Sequence, residues 1–470
     1  MRDKLKEWAV LPYNVNRIRK HYLLTTPWGG WEVFDEEDFK RVNRMSFNED
    51  SGLFKRLKKS RLLLDTNNLD KITNEFRQLR AGLFYDTGLH IAVVTDSCNF
   101  NCLYCQAKRA NRNTYMDLKI ATNVLGCLFA SSNPSVRLEF QGGEPLLNWK
   151  TVEFLIRYSR KQNKIEKKNL VISLVTNMSL LDKEKINLLI KYDVEVCTSL
   201  DGPEGLHNQN RIFKDGTGTY KVVIEKIKRL QDEYKKRKIN KKIGALPTIT
   251  KQSLPYAKEI IDEYVRLGFD SIHLRPTNKL GQAQKNWDKI GYAAEEFNDF
   301  WQNSLDYILE LNKKGIDIKE MMAVNMLRKI LRKKDPLYVD LESPCGAARS
   351  QLAYAPNGDV YTCDEARMIG SDMFKLGNVL KDKYQDVMKN HNLFYTSEAS
   401  LLNLWDYNSA FCIWSGTCPV MNFYEQKNPV VKITQTSKHK IHNFQFNYIF
   451  EKIIYDKEAY RIFNNWVKET

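Results

Sequence analysis

The sequence predicts an α/β protein built on a parallel sheet, and three observations lead there. From about Leu89 to Thr277, short β-branched runs alternate with longer amphipathic ones. Strict alternation of this kind implies right-handed βαβ units. The strand segments number six, short of the eight that close a barrel. The polar and sulfur-bearing residues that could carry chemistry also fall at the ends of successive strand segments, where a parallel sheet gathers them at one mouth.

The strands are expected at Leu89 to Thr95, Val136 to Phe140, Leu170 to Thr176, Val194 to Leu200, Ile243 to Ile249 and Ser271 to Arg275. Helical patterns lie between them near Met116 to Ser131, Thr151 to Gln162, Asp182 to Tyr192, Tyr220 to Lys235 and Tyr256 to Leu267. Ahead of this body (86–285), residues 1–85 read as a small α+β domain: Tyr22 to Thr26 and Trp31 to Phe34 form a hairpin across Gly29-Gly30, followed by a short helix from Asp35 to Arg44. Such a segment is either a peptide-recognition element or a cap on the barrel. Two amphipathic helices are expected within Trp287 to Arg332, making 286–335 a helical connection. Cysteines return in 336–430, and a basic, aromatic tail (431–470) ends in a helical pattern from Asn443 to Lys468.

At 470 residues the chain calls for two or three domains. Hydrophobic residues at 43% and charged residues at 28% are those of a globular protein, and no run approaches the roughly 18 apolar residues that span a bilayer. Met1 to Lys6 lacks the apolar core of a signal peptide, so a cytoplasmic location is expected, with no membrane partner. Nine cysteines in short motifs suit a reducing compartment better than a disulfide framework. The net charge of +16 attracts polyanions, but its lysines lie in segments such as Lys161 to Lys168 and Lys235 to Lys242 without interleaved aromatics. That pattern argues against nucleic acid and is compatible with an acidic leader peptide.

Cys98, Cys102 and Cys105 follow the first strand at the spacing Cys-x3-Cys-x2-Cys. Three thiolates so placed can hold an iron–sulfur cube by three irons and leave the fourth open to a substrate. The bland alternative is part of a zinc site with its fourth ligand elsewhere. The pattern, with Tyr104 before its last cysteine and a strand before its first, resembles the signature of the radical S-adenosylmethionine (SAM) enzymes. That resemblance implies a partial (β/α)6 TIM-type barrel, with a 4Fe-4S cluster at its mouth whose free iron is chelated by SAM.

Gly142-Gly143-Glu144-Pro145 ends the second strand segment and resembles the family's Gly-Gly-Glu motif, which implies that its main chain and Glu144 bind the SAM amino group. By the same resemblance Asn177 and Ser199 are candidate ribose contacts, and Arg211 a partner for the SAM carboxylate. Strand-end turn chemistry is the competing explanation for Asn177 and His207. Cys345-x12-Gly358-x4-Cys363, with Cys412 and Cys418, resembles a C-terminal SPASM/twitch iron–sulfur domain. A complete domain of that type has seven cysteines; here Ser409 and Asn422 stand where two more are expected. Four thiolates close one cube, so a single auxiliary 4Fe-4S cluster is expected, with two vestigial, empty sites as the alternative. Cys127 and Cys197, inside a helix and a strand pattern, read as packing thiols. Asp364, directly after Cys363, is implied by the sulfatase-maturing relatives to be a catalytic base, although a carboxylate there could also cap a turn.

Longer stretches, including Leu89 to Thr95, Phe140 to Asn148, Thr198 to Arg211, Asp262 to Val265, Leu274 to Pro276, Tyr338 to Leu341, and Gly358 to Tyr361 followed by Asp364 to Met368, look like the His-Xaa-Ser system radical SAM maturases. The Asp-Glu-Ala-Arg run ending at Arg367 has no generic explanation. The function implied is a peptide-modifying enzyme that cleaves SAM reductively to a 5'-deoxyadenosyl radical and takes a hydrogen atom from a ribosomally made precursor peptide. An electron donor such as flavodoxin or ferredoxin is implied with it. An RNA-modifying radical SAM enzyme and a non-catalytic metal- or peptide-binding module are the rival readings.

Overall fold

The computed structural model describes residues 8–80, 85–107, 114–404 and 409–468. The chain divides into two units: Met1–Phe84, Ala323–Gly346 and Glu398–Thr470 form the first, and Tyr85–Met322 with Ala347–Ser397 form the second. Residues 336–430 therefore contribute to both.

In the first unit, strands β1 (Trp8–Val10), β2 (Asn14–Ile18), β3 (His21–Thr25), β4 (Trp31–Phe34) and β5 (Leu63–Asp65) make an antiparallel β2-β3-β4 sheet and a β1-β5 pair. The hairpin anticipated from Gly29-Gly30 joins β3 to β4, with Thr26 and Gly30 closing its turn at 2.8 Å. A helix, Glu36–Asn43, starts where the Asp35 carboxylate accepts the Asp38 amide. Trp8, Leu24, Phe34, Leu57 and Leu62 form a core. The C-terminal pattern is two helices, Ser437–Tyr455 and Lys457–Trp466, because Asp456 caps the second and interrupts the ladder of the first. The first of these runs beside β2 and β3 through Asn16–Asn447 and His21–Tyr455 hydrogen bonds, and its Phe446 and Phe450 stack on Phe411 and Trp414.

The second unit carries β6 (Leu89–Thr95), β7 (Ser135–Gly142), β8 (Asn169–Val175), β9 (Val194–Ser199), β10 (Gly244–Leu246), β11 (Thr248–Ile249), β12 (Ser271–Ile272), β13 (Arg275–Pro276), β14 (Lys319–Glu320), β15 (Gln351–Tyr354), β16 (Asp359–Tyr361) and β17 (Lys375–Asn378). Its main sheet runs β10-β9-β8-β7-β6-β15-β16-β17, parallel from β10 to β15 and antiparallel beyond. Helices Leu118–Ala130, Trp149–Glu166, Lys183–Lys191, Tyr220–Lys236 and Ala257–Arg266 fall in the expected intervals. Asp117 and Asp182 cap two of them by accepting amides three residues on, at 2.8 and 2.9 Å.

The fifth and sixth expected strands are each split. Pro247, which has no N–H to give a ladder, separates β10 from β11, so β10 pairs with β9 while β11 pairs with β13; the sixth strand breaks at His273 and Leu274, and β12 pairs with β14. The hairpin β15-β16 with β17, which the sequence did not announce, extends the sheet past β6.

A parallel sheet packed on both faces reads as unbroken apolar runs. Strands β7 and β8 depart from this: Val136, Leu138, Phe140, Leu170, Ile172 and Leu174 are buried, while Glu139, Gln141 and Ser173 occupy alternate positions on the opposite face. Their polar groups bond to one another, Gln141 Nε2 and Ser173 Oγ both donating to Glu139 at 2.7 and 3.1 Å. One face thus supplies a core and the other a polar lining.

Candidate active site

The cysteine loop leaves β6 at Asp96 and is held by main-chain bonds from two distant segments. Asn101 and Leu103 donate to the carbonyls of Ile212 and Asn210 at 2.8 and 2.9 Å, and the rings of Phe100 and Phe213 meet edge to face at 4.9 Å. From the other side Gln282 donates its amide to the Cys105 carbonyl at 2.8 Å, and Asn286 Nδ2 donates to Leu103 O at 2.8 Å. Gly281 makes this approach feasible: its φ is +56°, and a Cβ there would lie 2.5 Å from Gln106 O.

The Gly-Gly-Glu-Pro turn packs on the beginning of the same loop. Gly143 and Glu144 donate to Thr95 O and Ser97 O at 2.9 and 2.8 Å, and a Cβ on Gly143 would lie 2.2 Å from Ser97 O. Glu144 is wholly buried. Its carboxylate accepts from Thr176 Oγ1 at 2.6 Å and from the amides of Asn177 and Leu146 at 2.7 and 2.9 Å. Burial pushes its pKa up against these three bonds. Glu144 thereby ties the turn to the end of β8. Asn177 Nδ2 in turn donates to Asn99 Oδ1 at 2.9 Å and lies 3.8 Å from Cys98 Sγ.

Beneath the loop Arg211 Nη1 donates to the Tyr104 hydroxyl at 2.7 Å, and that hydroxyl donates to Asp201 Oδ2 at 2.8 Å. Burial raises Asp201 to about 6, with Arg211 pulling the other way. The guanidinium also lies 5.6 Å from the centre of the Phe100 ring. Burial lifts the Cys98 and Cys102 thiols to about 11, so without a metal's charge they are neutral.

Cys98, Cys102 and Cys105 line one cavity of about 210 Å3, together with Gly142, Gly143, Asn177, Ser199 and Arg211. Glu144, Pro145 and Asp364 do not line it. His207 serves the scaffold: its Nδ1 accepts the Asp201 amide at 3.3 Å and its Nε2 meets Thr219 Oγ1 at 3.1 Å. Sequence reasoning missed Gln141, Arg275 and Met368, which also line the cavity. Gln141 directly precedes the Gly-Gly turn and Arg275 stands at the end of an expected strand, which was the available signal. Met368 had none.

Cys363 lies in the second unit, its sulfur accepting the Ala366 amide at 3.4 Å, whereas Cys345, Cys412 and Cys418 lie in the first. Cys412 Sγ accepts from Asn14 Nδ2 at 3.2 Å. Among the described residues no three His, Cys, Asp or Glu side chains converge where a single metal ion could sit. A cube instead takes one thiolate per iron, at separate corners. Cys127 and Cys197 are raised by burial to about 11 and 12, as befits packing thiols. No helix of the described residues is long and apolar enough to cross a membrane.

Residues 92–255 match the model of the Radical SAM superfamily, so this chain carries a radical SAM domain. Relatives of this chain include a sulfatase-maturating enzyme and a radical SAM cyclopropyl synthase. The cysteine-type anaerobic sulfatase-maturating enzyme of Clostridium perfringens is 26% identical over 326 residues, covering 66% of this chain and 82% of that one. The radical SAM cyclopropyl synthase TigE of Paramaledivibacter caminithermalis is 24% identical over 368 residues, covering 67% and 72%. A Methanocaldococcus jannaschii protein is 30% identical over 192 residues, and the chain spans 63% of its length. The solved structure of anSMEcpe with bound AdoMet superposes with a TM-score of 0.67 at 20% identity over 81% of this chain and 99% of that one, which shows the shared α/β fold and its mixed sheet. The cofactors of the superfamily are a 4Fe-4S cluster and SAM.

Proposed function

We propose that this chain modifies a ribosomally made precursor peptide by hydrogen-atom abstraction. The observation that carries the reading is the single cavity that takes in three thiols, two main-chain glycines, Asn177, Ser199 and Arg211. The donor set suits the cofactors. Three thiols leave one iron of a cube open, and Arg211 brings a buried Nε that has no hydrogen-bond partner among the described residues. An unpaired guanidinium N–H at a cavity wall is matched by a carboxylate such as that of SAM.

Cys98, Cys102 and Cys105 would hold the cluster, the main chain of Gly142 and Gly143 the SAM amino group, Asn177 and Ser199 the ribose, and Arg211 the carboxylate. Glu144 keeps the turn in place from behind rather than reaching into the cavity, and Pro145 fixes the exit of the turn. When bound, the cluster and SAM supply an electron and a 5'-deoxyadenosyl radical. The chain's own part is to seat them and keep water from them: the loop's main chain is bonded on both sides, and Phe100 and Tyr104 are buried against Arg211.

The peptide substrate is supported by the structure of anSMEcpe, which shares this fold, with AdoMet and the Kp18Cys peptide bound. Asp364 is the candidate base, held by the Arg367 guanidinium at 2.9 Å. Cys345, Cys363, Cys412 and Cys418 are the proposed ligands of one auxiliary 4Fe-4S cluster, and a flavodoxin or ferredoxin the proposed electron donor. The five-part division of the chain given above, with a partial (β/α)6 barrel over 86–285 and a SPASM/twitch-like part over 336–430, completes the reading.

The test is anaerobic reconstitution with iron and sulfide, then reduction with dithionite in the presence of SAM. Formation of 5'-deoxyadenosine by the parent protein and its loss to background in Cys102→Ala are expected. A parent protein that loads iron yet releases no 5'-deoxyadenosine sinks the reading.

A further inference from the structure

The run Asp364-Glu365-Ala366-Arg367, unexplained at the level of sequence, acquires a structural role in the second unit. The Arg367 side chain is 3% exposed and stands between two carboxylates. Its Nε donates to Asp364 Oδ1 at 2.9 Å, and its Nη1 lies 3.9 Å from Asp96 Oδ1. Both carboxylates are themselves largely covered, at 13% and 15% exposure. Asp96 is the first residue after β6 and stands two before Cys98. Its other oxygen accepts from Thr114 Oγ1 at 2.6 Å and its amide donates to Thr114 O at 3.1 Å. Its chain neighbours Thr95 and Ser97 are the residues whose carbonyls anchor Gly143 and Glu144. On the other side, Arg367 belongs to the helix Asp364–Ile369, whose next residue, Met368, lines the cavity.

A guanidinium is suited to this place. Its planar fork can face two carboxylates at once and keeps its charge when buried, which an ammonium does less readily. Removing it would leave two covered carboxylates facing each other without a counter-charge. We propose that Arg367 is a positioning residue that fastens the helix Asp364–Ile369 to the shoulder of the cysteine loop, so that Asp364 and Met368 keep a fixed place relative to the triad. Its catalytic consequence rests on the function proposed above; the fastening itself does not.

Amide hydrogen exchange on the full-length protein tests the fastening without any turnover. In Arg367→Gln, exchange rises together in 96–107 and in 364–369, while the helix Ser437–Tyr455 of the first unit keeps its protection. Arg367→Lys, which retains charge and loses the fork, falls between parent and glutamine variant in both segments. Faster exchange confined to 364–369 overturns the proposal. Should Arg367→Gln not fold, Asp96→Asn supplies the second route: it keeps the side chain's size, removes one charge, and is expected to loosen 364–369 as well as the loop. An Asp96→Asn protein in which 364–369 is unchanged also overturns it. In protein reconstituted to parental iron content, 5'-deoxyadenosine formation by Arg367→Gln is expected to fall about 10- to 100-fold, the usual cost of losing an outer partner of a metal site. If the parent itself forms none, the proposed function fails while the exchange data still decide the role of Arg367.

Discussion

The two units both hold cysteines outside any disulfide and a buried histidine, but they fix their cysteines by different means. In the second unit the triad occupies one short run, and the loop that bears it is tied by main-chain bonds to Asn210, Ile212 and Gln282 and overlaid by the Gly-Gly turn. In the first unit Cys345 stands far in the sequence from Cys412 and Cys418, and side chains meet two of the three: Asn14 Nδ2 donates to Cys412 Sγ at 3.2 Å, and the Cys345 N–H donates to Ser400 Oγ at 2.9 Å. Main-chain anchoring depends little on side-chain identity but tolerates no added bulk at the points of contact. Side-chain anchoring makes the opposite demand. Glycine substitution should therefore cost most where a Cβ would meet main chain, as at Gly143 in the second unit, and least where it would meet nothing, as at Gly52 in the first.

The largest effect is expected at Gly143. Alanine there would place a Cβ 2.2 Å from Ser97 O and 2.4 Å from Ser97 C, both main-chain atoms that cannot swing aside. The turn and the cysteine loop must part, at about 3 kcal/mol by the usual scale of overpacking. Urea unfolding should show this loss, and the reconstituted variant should lose 5'-deoxyadenosine formation with it. A Gly143→Ala protein as stable as the parent would mean that the close approach of turn and loop is absent in solution.

A second, smaller effect compares the two histidines. His90, in β6, has Nδ1 2.8 Å from the Tyr354 hydroxyl, and burial lowers its pKa to about 4. His442, in the helix Ser437–Tyr455, has Nδ1 2.8 Å from Ser415 Oγ, and burial lowers it to about 3. Each takes up a proton in the unfolded chain near pH 6.5 and in the folded chain only far below that, so the unfolded state binds more protons in between. Stability from each is whole above pH 6.5 and is lost as pH falls, down to about 4 for His90 and about 3 for His442. At pH 5 each should have withdrawn about 2 kcal/mol relative to pH 7. Urea titrations of His90→Gln and His442→Gln should each show a flatter fall of stability between pH 6.5 and 5 than the parent. A variant with the parental slope would mean that its histidine is reached by water in the folded protein.

The same contrast explains what the sequence could reveal. The strands β6 to β9 and their helices were legible because periodicity is local, and the cavity residues Cys98 to Cys105, Gly142 and Gly143 because each motif is contiguous. Pro247 could have warned that the fifth strand would split, whereas the break of the sixth at His273 and Leu274 carries no such mark. The pairing of β15 with β6 could not be read, since parallel register between Gln351 and Leu89 is a long-range fact that no local pattern encodes. Met368 and Gly281 reach the site through such long-range placement. Arg367 was visible as an oddity of sequence, yet its meaning depended on Asp96, far away in the chain.

The smallest effect should come from a glycine that no contact requires. Gly52 opens the helix Gly52–Ser60 in the first unit, one residue after the Ser51 hydroxyl that accepts the Phe54 amide. A Cβ there would meet nothing within 4 Å, and its backbone is not in the left-handed region. Alanine should then stabilise the protein by about 0.5 kcal/mol, chiefly by narrowing the unfolded chain's freedom. A slightly higher urea midpoint with unchanged 5'-deoxyadenosine formation is the expected result. Destabilisation comparable to that of Gly143→Ala would show that the space around Gly52 is filled in solution, and the ranking of the two glycines would fail.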